Sequence, residues 1–295
     1  MRNLKIAVAR TPCFMVALSS TLAAGRDMPE ATSKTDGDTV SFPDKHEFLV
    51  LPRKGEAGAV ECAVYPPRLP GSGKNAGLVM HLYGAGGSCQ YYNMMRPSYA
   101  IVRQLLWERG YWLVVPSLGG EHWMNDAAVT SLDVIIEGMI RDSGVDPARV
   151  NILGTSMGGG SGLVYVMRHP GRVRSICAIF PMTDFAQWVK ESPQYLQDIA
   201  GAHGVKPSEA ASLLEMISPL NHVSAFADVP VFLIHGDADP TVPVHHSRKF
   251  AAALRKQDSP VTYHEVRGLE HTDAVAEPFQ REIVEFLTGT AAQSD

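Results

Sequence analysis

The run Val150-Asn151-Ile152-Leu153-Gly154-Thr155-Ser156-Met157-Gly158-Gly159-Gly160 passes from an apolar stretch through G-x-S-x-G into a segment with helical spacing. Its reading decides the fold. A serine on a sharp strand-to-helix turn takes a strained backbone conformation, so the residues two positions either side of it, Gly154 and Gly158, must lack a Cβ. In return the Ser156 hydroxyl is exposed at a helix N-terminus, where free N–H groups and the helix dipole favour developing negative charge. Asp146-Pro147-Ala148-Arg149 upstream reads as a turn into the strand.

Outward from this turn, short β-type runs alternate with helical patterns, the signature of a mainly parallel sheet covered by helices on both faces. Eight strands are expected, at Glu47–Leu51, Ala59–Tyr65, Leu78–Tyr83, Trp112–Val115, Val150–Leu153, Ile176–Phe180, Val231–His235 and Val261–Val266, the first two pairing as a hairpin. Apolar positions three or four apart predict helices over Tyr99–Arg109, Ala127–Asp142, Met157–Arg168, His245–Lys256 and Ala274–Leu287. Residues 183–226 separate two strands by more than a usual connection and carry helical pieces around Tyr195–Ile199 and Ser208–Ile217. This insertion reads either as a small lid or as a longer crossover on the sheet.

A nucleophilic serine needs a histidine to take its proton and a carboxylate to hold that histidine's tautomer. The apolar run Val231–His235 empties into Gly236-Asp237-Ala238-Asp239-Pro240-Thr241-Val242-Pro243. Asp239 lies farther out, before the proline that fixes the turn, while Asp237 suits loop ordering through backbone N–H groups. Of the 11 histidines, His271 lies in a loop between the last strand and the last helix, placed to swing over Ser156. His235 reads as a strand end, and His245 and His246 as a helix start. The order Ser156, Asp239, His271 is nucleophile, acid, base. Leu78–Tyr83 runs into Gly84-Ala85-Gly86-Gly87, placing a backbone N–H at Ala85 beside that of Met157 as oxyanion donors.

Together these residues resemble the α/β-hydrolase superfamily, and within it the catalytic domain of the prolyl oligopeptidase family and its single-domain esterase relatives. The motifs that carry the resemblance are Leu82-Tyr83-Gly84-Ala85-Gly86-Gly87, Gly154-Thr155-Ser156-Met157-Gly158-Gly159, Ser218-Pro219, and His235–Pro243 with Ser247. The resemblance implies an α/β-hydrolase fold over about residues 44–290, with Asp239 as acid and His271 as base. Two departures shift the expected activity. Prolyl oligopeptidase uses a tyrosine hydroxyl as an oxyanion donor where this chain has Ala85. The short stretch ahead of the Leu78 strand also leaves no place for the family's propeller. The expectation is therefore a serine hydrolase acting on a small-molecule carboxylic ester through an acyl-enzyme, without cofactor or metal. A small peptidase and a catalytically silent binding protein of the same fold are the rival readings.

Composition excludes other classes. Of 295 residues 45% are hydrophobic and 19% charged, with net charge -5, matching a globular protein without a basic nucleic-acid surface. Cys13, Cys62, Cys89 and Cys177 form no C-x-x-C pair. Residues 1–25 carry Arg2, Lys5 and Arg10, an apolar stretch and then Ala23-Ala24-Gly25, a signal-peptide pattern weakened by Pro12 and Ser19. That pattern points to a secreted or periplasmic protein, against the alternative of a frayed cytoplasmic N-terminus. Residues 26–43 read as a polar tether, and no run suggests a membrane span. Substrate contacts are expected from Tyr83, Tyr91, Trp123 and Trp188, on loops that leave strand ends together with Cys89, Tyr92, His122 and Phe185.

Overall fold

Valine, isoleucine and leucine runs that are apolar on both faces form buried parallel strands, because helices must cover each side. The computed structural model describes residues 47–52, 59–68, 75–90 and 97–289. The expected leader, the tether and Tyr91 and Tyr92 lie outside them. Among the described residues the strands are β1 (Glu47–Pro52), β2 (Ala59–Tyr65), β3 (Ala76–Leu82), β4 (Tyr111–Pro116), β5 (Val145–Thr155), β6 (Ser175–Ile179), β7 (Val231–Gly236) and β8 (Val261–Val266). They form one sheet in the order β1-β2-β4-β3-β5-β6-β7-β8. β1 pairs antiparallel with β2 and β2 antiparallel with β4. From β4 to β8 every pairing is parallel, so these strands all end at one edge. This is the α/β-hydrolase fold.

The helices are α1 (Pro97–Glu108), α2 (Asp126–Ser143), α3 (Met157–Arg168), α4 (Phe185–Glu191), α5 (Leu196–Ala202), α6 (Ala211–Met216), α7 (His245–Lys256) and α8 (Gln280–Thr288). Local chemistry sets several ends. Asn125 caps α2 by accepting from the Ala128 N–H at 2.9 Å, and Gly144 closes it at φ 68°. Asp184 caps α4 by accepting from the Gln187 N–H. The last helix departs from expectation: Asp273–Phe279 is a 3-10 segment, and α8 begins only at Gln280, after Pro278. A proline inside the run removes a backbone donor and breaks the α pattern there.

Two further differences concern connections. Asp146–Arg149 was expected as a turn before the strand; instead it sits within β5 as a local irregularity, between the Ala76–Val145 and Leu78–Val150 pairings. Asp146 accepts there from the Ala148 N–H. The insertion holds an extra helix, α4, that its spacing did not announce. It is pinned by Ser218, whose hydroxyl accepts from the Phe185 N–H at 2.8 Å and donates to the Leu214 carbonyl at 2.6 Å.

The sheet centre contains a buried polar side chain whose contacts all come from its own and the adjacent strands. Asn151 on β5 is fully buried. Its Nδ2 donates to the Leu78 carbonyl at 3.2 Å and the Arg149 carbonyl at 3.0 Å, while its Oδ1 accepts from the Ser175 hydroxyl at 2.8 Å. Asn151 thereby ties β5 to β3 and β6, the strands that flank the Ser156 turn. We predict that Asn151→Ala, which leaves the Ser175 hydroxyl buried and unpaired, lowers unfolding free energy by about 1–3 kcal/mol in urea titrations; a loss below about 0.5 kcal/mol would contradict this role.

Candidate active site

The turn after β5 carries the strain its sequence implies. Ser156 has φ 56° and ψ -120°, a conformation costly for a residue with a Cβ. Its N–H donates to the Ile179 carbonyl at 2.9 Å, anchoring the turn on β6. The close approach of α3 to the sheet explains the glycine two residues on. A Cβ at Gly158 would lie 2.1 Å from the Leu82 carbonyl oxygen and 2.6 Å from that of Tyr83.

The loops after β7 and β8 are built as one unit. A Cβ at Gly236 would lie 2.2 Å from the Leu269 carbonyl oxygen, so only glycine lets the two loops touch. The Asp237 N–H donates to the Val266 carbonyl and the Ala238 N–H to that of Leu269, while Asp237 Oδ1 accepts from the Gly268 N–H at 2.5 Å. Asp237 is thus a loop-ordering residue, and Asp239 is left to face the histidine.

Three side chains from three strand ends meet above the sheet. The Ser156 hydroxyl and His271 Nε2 are 2.9 Å apart, and His271 Nδ1 and Asp239 Oδ2 are 2.7 Å apart. The tautomer that completes this chain donates from Nδ1 to the carboxylate and accepts from the serine at Nε2. Phe180, held at φ 38°, packs its ring 4.4 Å from the imidazole. The Asp239 side chain is fully buried, with Oδ1 accepting from the Thr241 and Val242 N–H groups at 2.8 and 2.9 Å. Burial alone would raise its pKa, but hydrogen bonds from His235, His271 and the Val242 N–H outweigh it and hold the carboxyl far below its ordinary 3.8.

His235, read from sequence as a strand end, is part of this arrangement. Its Nε2 donates to the Val242 carbonyl at 2.8 Å and lies 3.4 Å from Asp239 Oδ2, while its Nδ1 accepts from the Ser247 hydroxyl at 2.8 Å. The only sequence signal was a histidine closing an otherwise apolar strand two residues before Asp237.

The site opens into a cleft of about 760 Å³ lined by Gly84–Gly87, Pro97, Ser98, Thr155, Ser156, Phe180, Tyr195, Thr241, His271–Ala274 and Glu277. Ala85 therefore borders the cleft, and Met157 opens α3, where a helical N–H has no intrahelical partner. A larger groove of about 820 Å³, lined by Met167, Arg168 and His222 among others, contains none of the three.

The expected aromatic substrate contacts are displaced. Tyr83, Trp123 and Trp188 are buried to within 1% of full burial and do not line the cleft. The Tyr83 hydroxyl accepts from the Leu118 N–H at 2.7 Å and donates to the Gly119 carbonyl, and its ring lies under Gly87, propping the glycine loop. Trp188 donates from Nε1 to the Thr241 carbonyl and stacks at 4.6 Å on Tyr195, and Trp123 packs behind both. Cys89, His122 and Phe185 are likewise buried away from the cleft wall. Tyr195 is the aromatic ring that reaches the cleft from the insertion. Its place within an expected helical piece hid it.

A parallel sheet whose carboxyl edge presents a serine, an aspartate and a histidine in this chain order belongs to the serine hydrolases of the α/β-hydrolase class. More narrowly, the chain belongs to the prolyl oligopeptidase family, whose sequence profile matches residues 97–292. It is 30% identical over 114 residues to an uncharacterized secreted protein of Arthroderma benhamiae, covering 38% of this chain and 12% of that one. It is 26% identical over 149 residues to the uncharacterized protein YfhR of Escherichia coli K12, covering 49% and 47%. The chain thus spans less than half the length of these curated relatives. A puromycin-hydrolyzing peptidase of Mycobacterium tuberculosis superposes with a TM-score of 0.70 at 21% identity, covering 84% of this chain and 40% of that one. An S-formylglutathione hydrolase of Agrobacterium tumefaciens does so with a TM-score of 0.66 at 16% identity, covering 83% and 95%. No helix among the described residues is long and apolar enough to cross a membrane.

The depressed Asp239 carboxyl makes stability depend on pH in a defined direction. Its folded value lies below 3.8, so as pH falls the unfolded chain binds the proton first. The stabilisation is full above the unfolded value and is lost as pH falls through it toward the folded one. Urea unfolding between pH 6 and pH 3 should show the wild type losing more stability than Asp239→Asn; equal pH slopes would rule out this contribution.

Proposed function

We propose that the protein is a carboxylic ester hydrolase that works through an acyl-enzyme on Ser156. The observation that carries the reading is the continuous hydrogen-bonded chain from the Ser156 hydroxyl through His271 to the buried Asp239, open to a cleft at the serine end.

The steps follow from the geometry. His271 Nε2 takes the Ser156 proton as Oγ bonds to the ester carbonyl carbon. Negative charge then develops on the carbonyl oxygen, which the N–H groups of Met157 and Ala85 stabilise. Asp239, kept ionised by its donors, orients the imidazole through Nδ1–H and balances the charge of the imidazolium. As the tetrahedral intermediate collapses, His271 returns the proton to the departing alcohol oxygen. Water then gives a proton to the same nitrogen, attacks the acyl carbon and releases the acid, restoring Ser156.

Two features support esters over peptides. Ala85 offers only a backbone donor where prolyl oligopeptidase has a tyrosine hydroxyl, which leaves less stabilisation for the harder amide substrate. A hydrolase of S-formylglutathione also shares the fold, with a TM-score of 0.66. Family membership is the observation that favours the second reading, a peptidase acting on short peptides.

A matched panel of aryl esters and aryl amides decides between them. We expect ester turnover to exceed amide turnover for the same acyl group; comparable rates would replace the esterase reading with the peptidase one. Ser156→Ala should lower kcat/KM for the best ester by about 10⁴-fold or more with unchanged circular dichroism. A fluorophosphonate should add one adduct mass to the wild type and none to Ser156→Ala. Absence of an adduct on the wild type would support the silent binding protein instead.

A further inference from the structure

The end of α4 and the start of α7 bring together three side chains that the hydrolytic chemistry leaves unused. Glu191 Oε1 lies 2.9 Å from His245 Nε2, and Glu191 Oε2 lies 3.1 Å from His246 Nε2. The two imidazoles stack with centroids 4.6 Å apart, and one ligating atom from each of the three residues falls within 4.8 Å of the others. Consecutive helical residues ordinarily point in different directions; here both rings turn onto one carboxylate. The cluster is half-enclosed: the His246 side chain is 1% exposed, Glu191 23% and His245 34%.

We propose that Glu191, His245 and His246 form a binding site for one divalent transition-metal ion of the zinc class, separate from the Ser156 cleft and independent of the hydrolytic reading. The donor set of two imidazoles and one carboxylate suits zinc, cobalt or nickel rather than magnesium or calcium, which prefer all-oxygen shells. Zinc–nitrogen bonds of about 2.0–2.1 Å and zinc–oxygen bonds of similar length imply separations near 3.3 Å between ligand atoms of a tetrahedron. His245 Nε2 lies 2.9 Å from one oxygen of Glu191 and His246 Nε2 3.1 Å from the other, and one ligand atom from each of the three residues lies within 4.8 Å of the rest. An ion that replaces the shared hydrogens would draw these ligand atoms together, with solvent completing its shell on the exposed side of His245.

Protonation states agree with the geometry. Burial, first of all, pushes His246 down to about 4, so its ring is neutral at pH 7. Glu191 is held below its ordinary value, because hydrogen bonds from Gln187 and His246 outweigh its partial burial. Neutral imidazoles and an ionised carboxylate are the forms that ligate. A ring that ligates through Nε2 carries its remaining proton on Nδ1. Neither Nδ1 has a hydrogen-bond partner among the described residues. Outer partners of this kind are worth about 10–100-fold in affinity, so binding should be micromolar rather than nanomolar. The ion would fix the insertion to the acid loop, where Ser192 and Trp188 already donate to the Thr241 carbonyl.

The test uses the full chain without an affinity tag, stripped of metals with a chelator. Calorimetric titration with Zn²⁺ and absorption titration with Co²⁺ at pH 7.5 should give one ion per chain and a micromolar Kd, with cobalt ligand-field bands in the visible. Glu191→Gln and His245→Ala, both at partly exposed positions, should each weaken binding at least 10-fold while keeping the wild-type circular dichroism. Absence of saturable binding up to 1 mM, or wild-type affinity in either variant, overturns the site. A variant that loses its fold is replaced by His245→Gln, read against the same two outcomes.

Discussion

The contact on which the rest of the molecule depends is between the first turn of α3 and the ends of β3 and β5. Ser156 holds a positive φ of 56° there. The strain is affordable because Gly158 lets the helix backbone press against the Leu82 and Tyr83 carbonyls, a space any Cβ would occupy. Relaxing the serine would lift α3 off the sheet and expose apolar surface along its buried face, which runs from Met157 to Val166. Packing therefore maintains the strain, and the strain presents the hydroxyl to the cleft.

The carboxylate is governed by a second constraint. A buried aspartate is unfavourable unless its oxygens are supplied with donors, and Asp239 has backbone N–H groups on Oδ1 with His271 and His235 at Oδ2. His235 is itself fixed on both ring nitrogens by Ser247 and the Val242 carbonyl. The α7 start, through Ser247, thus reaches the imidazole of His271 by way of His235 and Asp239. Close contact at Gly236 and the Asp237–Gly268 hydrogen bond keep the acid and base loops in register. These supports share one purpose: backbone contacts and buried, hydrogen-bonded side chains together fix the distance from Asp239 to His271.

Much of this was legible in the sequence because it rests on local steric rules. Eight strands, the elbow at Ser156, and the choice of Asp239 over Asp237 each follow from turn chemistry or periodicity within about ten residues. What was not legible depends on packing between distant segments. The break of the last helix at Pro278 is the exception, a local effect masked by the apolar spacing on either side of it. The aromatic residues were misplaced for a different reason. Tyr83 and Trp123 follow strands and Trp188 lies in α4, yet their large apolar surfaces gain more from burial than from lining the cleft. Tyr195 reaches the cleft only because the folded insertion carries it there.

That substitution changes how specificity in this fold is built. A cleft walled by Tyr83 or Trp123 would be shaped by the sheet, rigid and tied to the same strands that hold the nucleophile. Instead one aromatic wall, Phe180, comes from the end of β6, and the other from the 3-10 segment before α5, with Tyr195 stacked on Trp188 and Trp188 hydrogen-bonded to the Thr241 carbonyl just past Asp239. Any substrate group that presses on Tyr195 therefore presses, through two contacts, on the loop that carries the acid. The elbow and the glycine loop, by contrast, are braced by Gly158 and by the Tyr83 ring. The triad is held at the sheet edge, and the cleft wall is shared between that edge, through Phe180, and the insertion, through Tyr195.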